Sequence, residues 1–127
     1  MMRSFLYFVL YLFQLVHVGS EFVTVKSDHS SRFIISIEEK EWFRTEEVYI
    51  WSSGRKLSNE NGELKQIGDS KYQGKDSLGQ YHEIVNHWQS SDGTLLDTKV
   101  KLYSANIENS EQMIVFSQSF PNGIAQV

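Results

Sequence analysis

The chain has 127 residues, no cysteine and one proline, and its 12 Lys and Arg against 16 Asp and Glu give a net charge of −4. This length suits a single domain. The acidic balance argues against a nucleic-acid binder, and the lack of cysteine excludes disulfide scaffolds, cysteine-ligated zinc, iron–sulfur clusters and thiol nucleophiles.

The first twenty residues have the pattern of a secretory signal peptide. Arg3 is their only charge, Phe5–Val16 is almost wholly apolar, and Val18 and Ser20 stand at the −3 and −1 positions of a cleavage site. The apolar run has 12 residues, whereas a helix needs about 20 to span a bilayer. We therefore expect residues 1–20 to form a signal-peptide helix that is cleaved on export, leaving a secreted, extracellular protein without a stable membrane span. An uncleaved anchor is the alternative.

The rest of the chain, residues 21–127, is patterned with a period of two rather than 3.6, which indicates strands. The predicted strands are, in order, Phe22–Val25, Phe33–Ile37, Val48–Trp51, a weaker segment around Leu64 and Ile67, Tyr81–Trp88, Leu96–Tyr103 and Met113–Phe120. In the sixth strand a face of Leu96, Thr98, Val100 and Leu102 alternates with Asp97, Lys99, Lys101 and Tyr103. This alternation predicts one buried and one solvated face. Val48–Trp51 is apolar on both faces, so we expect that strand to be covered on two sides.

Turn-forming residues separate these strands at Ser52–Gly54, Asn59–Gly62, Ser91–Gly93 and Pro121–Gly123. Asp92-Gly93 between two strands predicts a hairpin. Only Glu38–Glu47 could be helical, and a bulged connection is the alternative there. Many short strands without crossover helices predict an all-β, antiparallel β-sandwich. The turn at Pro121–Gly123 comes close to the last residue, so a complete sandwich and the front part of a longer protein both stay open.

The polar residues predict no catalytic or metal site. Asp69 and Asp76 flank a glycine-rich polar segment that we interpret as a loop, in which they cap turns. His82 and His87 are five residues apart, so a regular strand directs them to opposite faces, where they cannot share a metal ion. The nucleophile motif G-x-S-x-G and the phosphate-binding motif G-x-x-x-x-G-K-S/T are both absent. We therefore expect no cofactor. The pattern favours a chain without catalysis of its own, and an enzyme in its own right stays open as an alternative.

The aromatic residues are the remaining candidates for binding. Exposed Trp and Tyr rings stack on the apolar faces of sugars, although the same residues also fill sandwich cores. Tyr103 is expected to be exposed, because it lies on the same strand face as Asp97, Lys99 and Lys101. The candidate ligand-binding residues are Trp51, Asp76, Tyr81, Trp88 and Tyr103.

A family resemblance adds to this interpretation. The segments that carry it are Gly74–Tyr81 (GKDSLGQY), Trp88, Thr98–Tyr103 (TKVKLY) and Val115–Gly123 (VFSQSFPNG). Over roughly Ile50–Val127 the chain resembles the N-terminal, mutarotase-like β-sandwich of large secreted glycoside-hydrolase-like proteins of the family 31 and 36 kind. In those proteins a (β/α)₈ barrel that follows the sandwich carries the catalytic carboxylates.

The resemblance implies a non-catalytic module of a carbohydrate-active protein, with carbohydrate and a downstream catalytic domain as partners. The alternative is a stand-alone secreted domain that binds a protein partner or mediates adhesion through its loops or an edge strand.

Overall fold

The computed structural model describes residues 5–13, 23–104 and 111–123, and it confirms the predicted all-β, antiparallel fold. The described residues form strands and turns without a helix. The strands are β1 (Phe5–Phe13), β2 (Val23–Ser27), β3 (Phe33–Ile37), β4 (Lys40–Arg44), β5 (Tyr49–Ser52), β6 (Arg55–Ser58), β7 (Leu64–Asp76), β8 (Gly79–Ser90), β9 (Leu95–Tyr103) and β10 (Glu111–Ser119).

The strands form two layers. One layer is a five-stranded antiparallel sheet in the order β1-β10-β9-β8-β7. Two smaller antiparallel sheets, β2-β3-β4 and β5-β6, supply the apolar side chains that cover one face of it. We call the covered face of the large sheet its inner face and the opposite face its outer face. Such layering is typical of a β-sandwich.

The alternation in β9 determines which face is covered. Leu96, Val100 and Leu102 are buried on the inner face, as predicted. Each lies in a hydrophobic cluster with residues of the smaller sheets. Val100, Leu102 and Ile114 pack with Val23, Phe33 and Ile35 of β2 and β3. Leu96 packs with Ile50, Leu57, Leu64 and Trp88, so β5 and β6 cover the other end of the sheet.

A buried polar group links the two layers. Asn86 of β8 has a relative exposure of 0%. Its Nδ2 donates to the Ser31 carbonyl at 3.1 Å and to Ser27 Oγ at 3.3 Å, and its Oδ1 accepts from Gln66 Nε2 at 3.3 Å. Ser31 Oγ also donates to Gln66 Oε1. Because a buried amide without partners is costly, this network ties the loop before β3 to β7 and β8.

The predicted turns are present. At the β5–β6 connection Ser53 and Gly54 have φ of 52° and 72°, a left-handed pair that closes a two-residue hairpin. Asp92 and Gly93 lie in the β8–β9 turn, where Gly93 N–H donates to the Ser90 carbonyl at 3.0 Å. Gly123 N–H closes the last turn on the Phe120 carbonyl.

The bulged alternative describes Glu38–Glu47 correctly. Glu38 and Glu39 turn the chain with φ of 50° and 68°, and β4 then pairs with β3. The register shifts so that Ile35 faces Phe43 while Ser36 faces Glu41, which leaves Trp42 as the extra residue of a bulge.

Three expectations are wrong. The loop predicted around Asp69 and Asp76 is part of β7, a 13-residue strand held by pairing along β8. The Val48–Trp51 strand is covered on one side only, because Tyr49 and Trp51 are exposed while Ile50 is buried. The helix expected in the first twenty residues is replaced at Phe5–Phe13 by strand β1, which pairs with β10. The cleavage site, and the residues after Gly123, lie outside the described residues.

None of the described segments includes a helix long and apolar enough to cross a membrane.

Candidate functional site

Strand β5 presents the most exposed aromatic ring among the candidate binding residues. Alternation directs Ile50 into the core and leaves Tyr49 and Trp51 on the solvent side, where Trp51 is 67% exposed. Beside them lies a cavity of about 460 Å³ that we call the β5 cleft. It is lined by Glu47–Ser52, Thr94, Thr98, Gln118 and Phe120. The cleft therefore lies between β5 and the ends of β9 and β10, with polar and aromatic groups on its walls.

Ion pairing organises the β5 side of the cleft. Lys56 Nζ lies 2.6 Å from Glu47 Oε1 and 4.6 Å from the centre of the Tyr49 ring. The hydrogen bond from Lys56 lowers the pKa of the Glu47 carboxyl, and the same bond raises the pKa of Lys56. Since the ammonium already covers one face of Tyr49, Trp51 is the better stacking surface.

A fixed carboxylate is bound to Ser52, one of the residues that line the cleft. Asp92 Oδ2 accepts a hydrogen bond from Ser52 Oγ at 2.7 Å, and its other oxygen accepts from Ser90 Oγ. Hydrogen bonds from Ser90 and then Ser52 hold the pKa of Asp92 well below its usual range. Asp92 therefore stays ionised and joins the β5–β6 turn to the β8–β9 turn.

Two of the predicted binding residues are buried. Trp88 is only 3% exposed, packs in the core beneath β5 and β6, and donates from Nε1 to Thr98 Oγ1 at 2.9 Å. Tyr103 lies on the outer face as the alternation requires, yet it is 5% exposed, so its predicted exposure is wrong. Two neighbours in space bury the Tyr103 side chain. The Tyr81 ring packs against the Tyr103 ring at 5.7 Å between centres with an edge-to-face geometry, and Asp76 accepts a hydrogen bond from the Tyr103 hydroxyl.

Asp76, Tyr81 and Tyr103 do come together, with Lys101, at one end of the outer face. We call these four residues the tyrosine cluster. Tyr103 Oη donates to Asp76 Oδ2 at 2.7 Å, and Lys101 Nζ lies 4.2 Å from the Tyr81 ring centre and 3.8 Å from Asp76 Oδ2. Gly74 leaves room for this arrangement, because a Cβ there would lie 2.6 Å from Tyr81 Oη.

The electrostatics of the tyrosine cluster favour a closed arrangement. The hydrogen bond from Tyr103 lowers the pKa of Asp76, while burial and that same bond raise the pKa of Tyr103. The carboxylate and the phenol thus satisfy each other, and the cluster fastens the tip of the β7–β8 hairpin to β9. Of the five predicted binding residues, Trp51 alone combines high exposure with a neighbouring cleft.

Sequence reasoning missed one further group on the outer face. Ser70 Oγ lies 3.0 Å from His87 Nε2, and His87 Nδ1 lies 2.7 Å from Asp97 Oδ1. The three residues come from β7, β8 and β9, and the only signal in the sequence was the predicted direction of His87 and Asp97 from their strands. Among the described residues, no three or more His, Cys, Asp or Glu side chains lie together so that they could hold a metal ion.

Comparison with known proteins gives no relative. No protein-family model, curated protein or solved structure matches this chain. We therefore infer function from the geometry of the described residues.

Proposed function

We propose that this chain is a carbohydrate-binding β-sandwich module of a secreted, glycoside-hydrolase-like protein, and that it contributes binding rather than cleavage of glycosidic bonds. The observation that carries the proposal is the exposure of the Trp51 ring beside the β5 cleft. The resemblance of roughly Ile50–Val127 to mutarotase-like sandwiches supports the same class of ligand, and the signal-peptide pattern supports an extracellular place of action.

The chemistry of the cleft suits a sugar. A pyranose has apolar C–H faces that cover an aromatic ring and hydroxyl groups around its edge that need hydrogen-bonding partners. Trp51 offers the ring, and Glu47, Thr98 and Gln118 on the cleft wall offer oxygen and amide groups. A volume of about 460 Å³ falls within the roughly 300–1,000 Å³ of small-molecule sites.

The experiment is affinity electrophoresis of the full chain in native gels that contain soluble starch, galactomannan or xyloglucan. We expect at least one polysaccharide to retard the wild-type chain. Trp51→Ala should weaken that retardation about tenfold or more, because truncating an aromatic stacking residue costs about 1.4 kcal/mol or more of binding.

Trp42→Ala is the matched control. Trp42 is also exposed, at 51%, but it lies in the β4 bulge and does not line the β5 cleft. Its removal should leave retardation unchanged. Equal mobility of the wild-type chain in all gels would contradict the proposal, and so would an equal loss of binding in the two tryptophan variants.

A further inference from the structure

The side chains of Ser70, His87 and Asp97 form a continuous series of hydrogen bonds. A carboxylate can only accept, so Asp97 Oδ1 takes the proton on His87 Nδ1 at 2.7 Å. In a neutral imidazole the other nitrogen is then an acceptor, so Ser70 Oγ donates to Nε2 at 3.0 Å. A hydroxyl bonded to a base that a carboxylate orients is the arrangement that activates a serine nucleophile.

The sheet itself produces this geometry. His87 and Asp97 are direct cross-strand partners in β8 and β9, and Gly68 is the partner of His87 on β7. The imidazole points along β7 toward Ser70, two residues beyond Gly68, and a Cβ at Gly68 would lie 3.9 Å from His87 Cδ2, in ordinary contact. The register shift between Gln66 and Gly68 sets this alignment, and bulges often direct side chains at functional sites.

The position of Ser70 leaves it open to reaction. The side chains of His87 and Asp97 are 32% and 16% exposed, so these hydrogen-bonded residues lie at the surface. They are not part of either hydrophobic cluster. Strand β7 is at the edge of the five-stranded sheet as described. Backbone N–H groups alternate in direction along a strand, so one of Ser70 and Lys71 presents its N–H away from β8. The N–H at that edge is the candidate donor to a developing oxyanion.

We propose that Ser70, His87 and Asp97 form a nucleophilic site that removes small acyl groups from esters. Ser70 Oγ forms a bond to the acyl carbon as its proton passes to His87 Nε2, and the ester C–O bond breaks as that proton passes to the leaving alcohol. Water then attacks the acyl-serine, gives one proton to His87, and releases the carboxylic acid as Oγ regains its proton. Asp97 is the positioning residue for His87.

The surroundings indicate the class of ester. The side chains of His87 and Asp97 are 32% and 16% exposed, so the site lies at the surface of the outer face. An open surface suits a short acyl group presented on a larger carrier rather than a small molecule that must be enclosed. This inference stands independently of sugar binding at the β5 cleft, which lies on the opposite face of the sheet.

The test is covalent labelling of the full chain with an alkyl fluorophosphonate, followed by peptide mass spectrometry. We expect an adduct on Ser70 that is lost in Ser70→Ala and kept in Ser117→Ala, a serine on the same face in β10. His87→Gln should slow labelling about 100-fold or more, because it removes the base. Incubation with 4-nitrophenyl acetate and an acid quench should likewise trap acetyl-Ser70.

Asp97→Asn distinguishes positioning from a structural role. It should lower the maximal labelling rate without changing the fluorophosphonate concentration that gives half that rate, and circular dichroism should show the same strand content as wild type. The inference is overturned if wild-type Ser70 gives no adduct under conditions that label a reference serine hydrolase. It is equally overturned if His87→Gln, still folded by circular dichroism, is labelled at the wild-type rate.

Discussion

Removing the amide of Asn86 should destabilise the fold more than removing any exposed amide. The proposed change is Asn86→Ala. It deletes two donated hydrogen bonds, to the Ser31 carbonyl and Ser27 Oγ, and one accepted bond from Gln66. It also leaves a space where a side chain with 0% exposure had been.

The magnitude follows from the three contacts. A protein hydrogen bond contributes about 0.5–1.5 kcal/mol net to stability. The bond to the Ser31 carbonyl is 3.1 Å and the other two are 3.3 Å, so the lower half of that range applies to two of them. Together with the unpaired carbonyl left behind, we expect a loss of about 2–3 kcal/mol. At about 3–5 °C per kcal/mol for a domain of this size, the melting temperature falls by about 6–15 °C.

The assay is urea and thermal unfolding of the full chain, followed by circular dichroism and by tryptophan fluorescence, to which the buried Trp88 contributes. Gln89→Ala is the control, because Gln89 is the exposed amide nearest along the same strand. It should change stability by less than about 0.5 kcal/mol. If Asn86→Ala unfolds within that same margin of wild type, the network does not link the layers and the reasoning fails.

Three further outcomes test other parts of the fold. Val100→Asp should unfold the chain or lower the free energy of unfolding by more than about 4 kcal/mol, because Val100 is 1% exposed in the core. Lys99→Asp, on the outer face, should keep a near-normal melting temperature. Similar melting temperatures for the two variants would refute the assignment of the β9 faces. Gly74→Ala should lower the free energy of unfolding by about 1–3 kcal/mol, since its Cβ would lie 2.6 Å from the Tyr81 hydroxyl. Gly68→Ala should be near neutral, because its Cβ would have no contact closer than 3.9 Å. A lower melting temperature for Gly68→Ala than for Gly74→Ala would contradict this packing. Folding raises the pKa of Tyr103 above its ordinary 10.0, so the contribution of its protonated phenol to stability is complete below pH 10 and is lost as the pH rises through the folded pKa. Tyr103→Phe should therefore flatten the fall in melting temperature at alkaline pH. An unchanged alkaline profile would argue against the buried phenol.

Local pattern was enough for part of the architecture. The alternation of Leu96, Val100 and Leu102 predicted the inner face of β9, and Asp92-Gly93 predicted a hairpin, because both depend on neighbouring residues only. The start of β7 was predicted around Leu64 and Ile67, but its continuation to Asp76 was missed, since the glycines and charged residues there favour a loop. Pairing along the whole of β8 outweighs that preference.

The geometry of the candidate site residues depends on residues distant in sequence and could not be predicted from local pattern. The exposure of Tyr103 depends on Asp76, 27 residues away, so alternation along one strand could not predict it. Ser70 and His87 are 17 residues apart, and their contact requires a register that includes a bulge. A search for nucleophile motifs reads contiguous residues and cannot detect a group assembled across three strands.

Strand β1 places two demands on one stretch of chain. Phe5–Phe13 lies within the predicted export leader, and in the structure it borders β10 along nine residue pairs, from Phe5 opposite Ser119 to Phe13 opposite Glu111. Export of the nascent chain would have to precede this docking, because a leader already hydrogen-bonded into a sheet is hidden from the translocation machinery. A processed molecule would then carry β10 as its new border, with backbone groups ready to accept another strand.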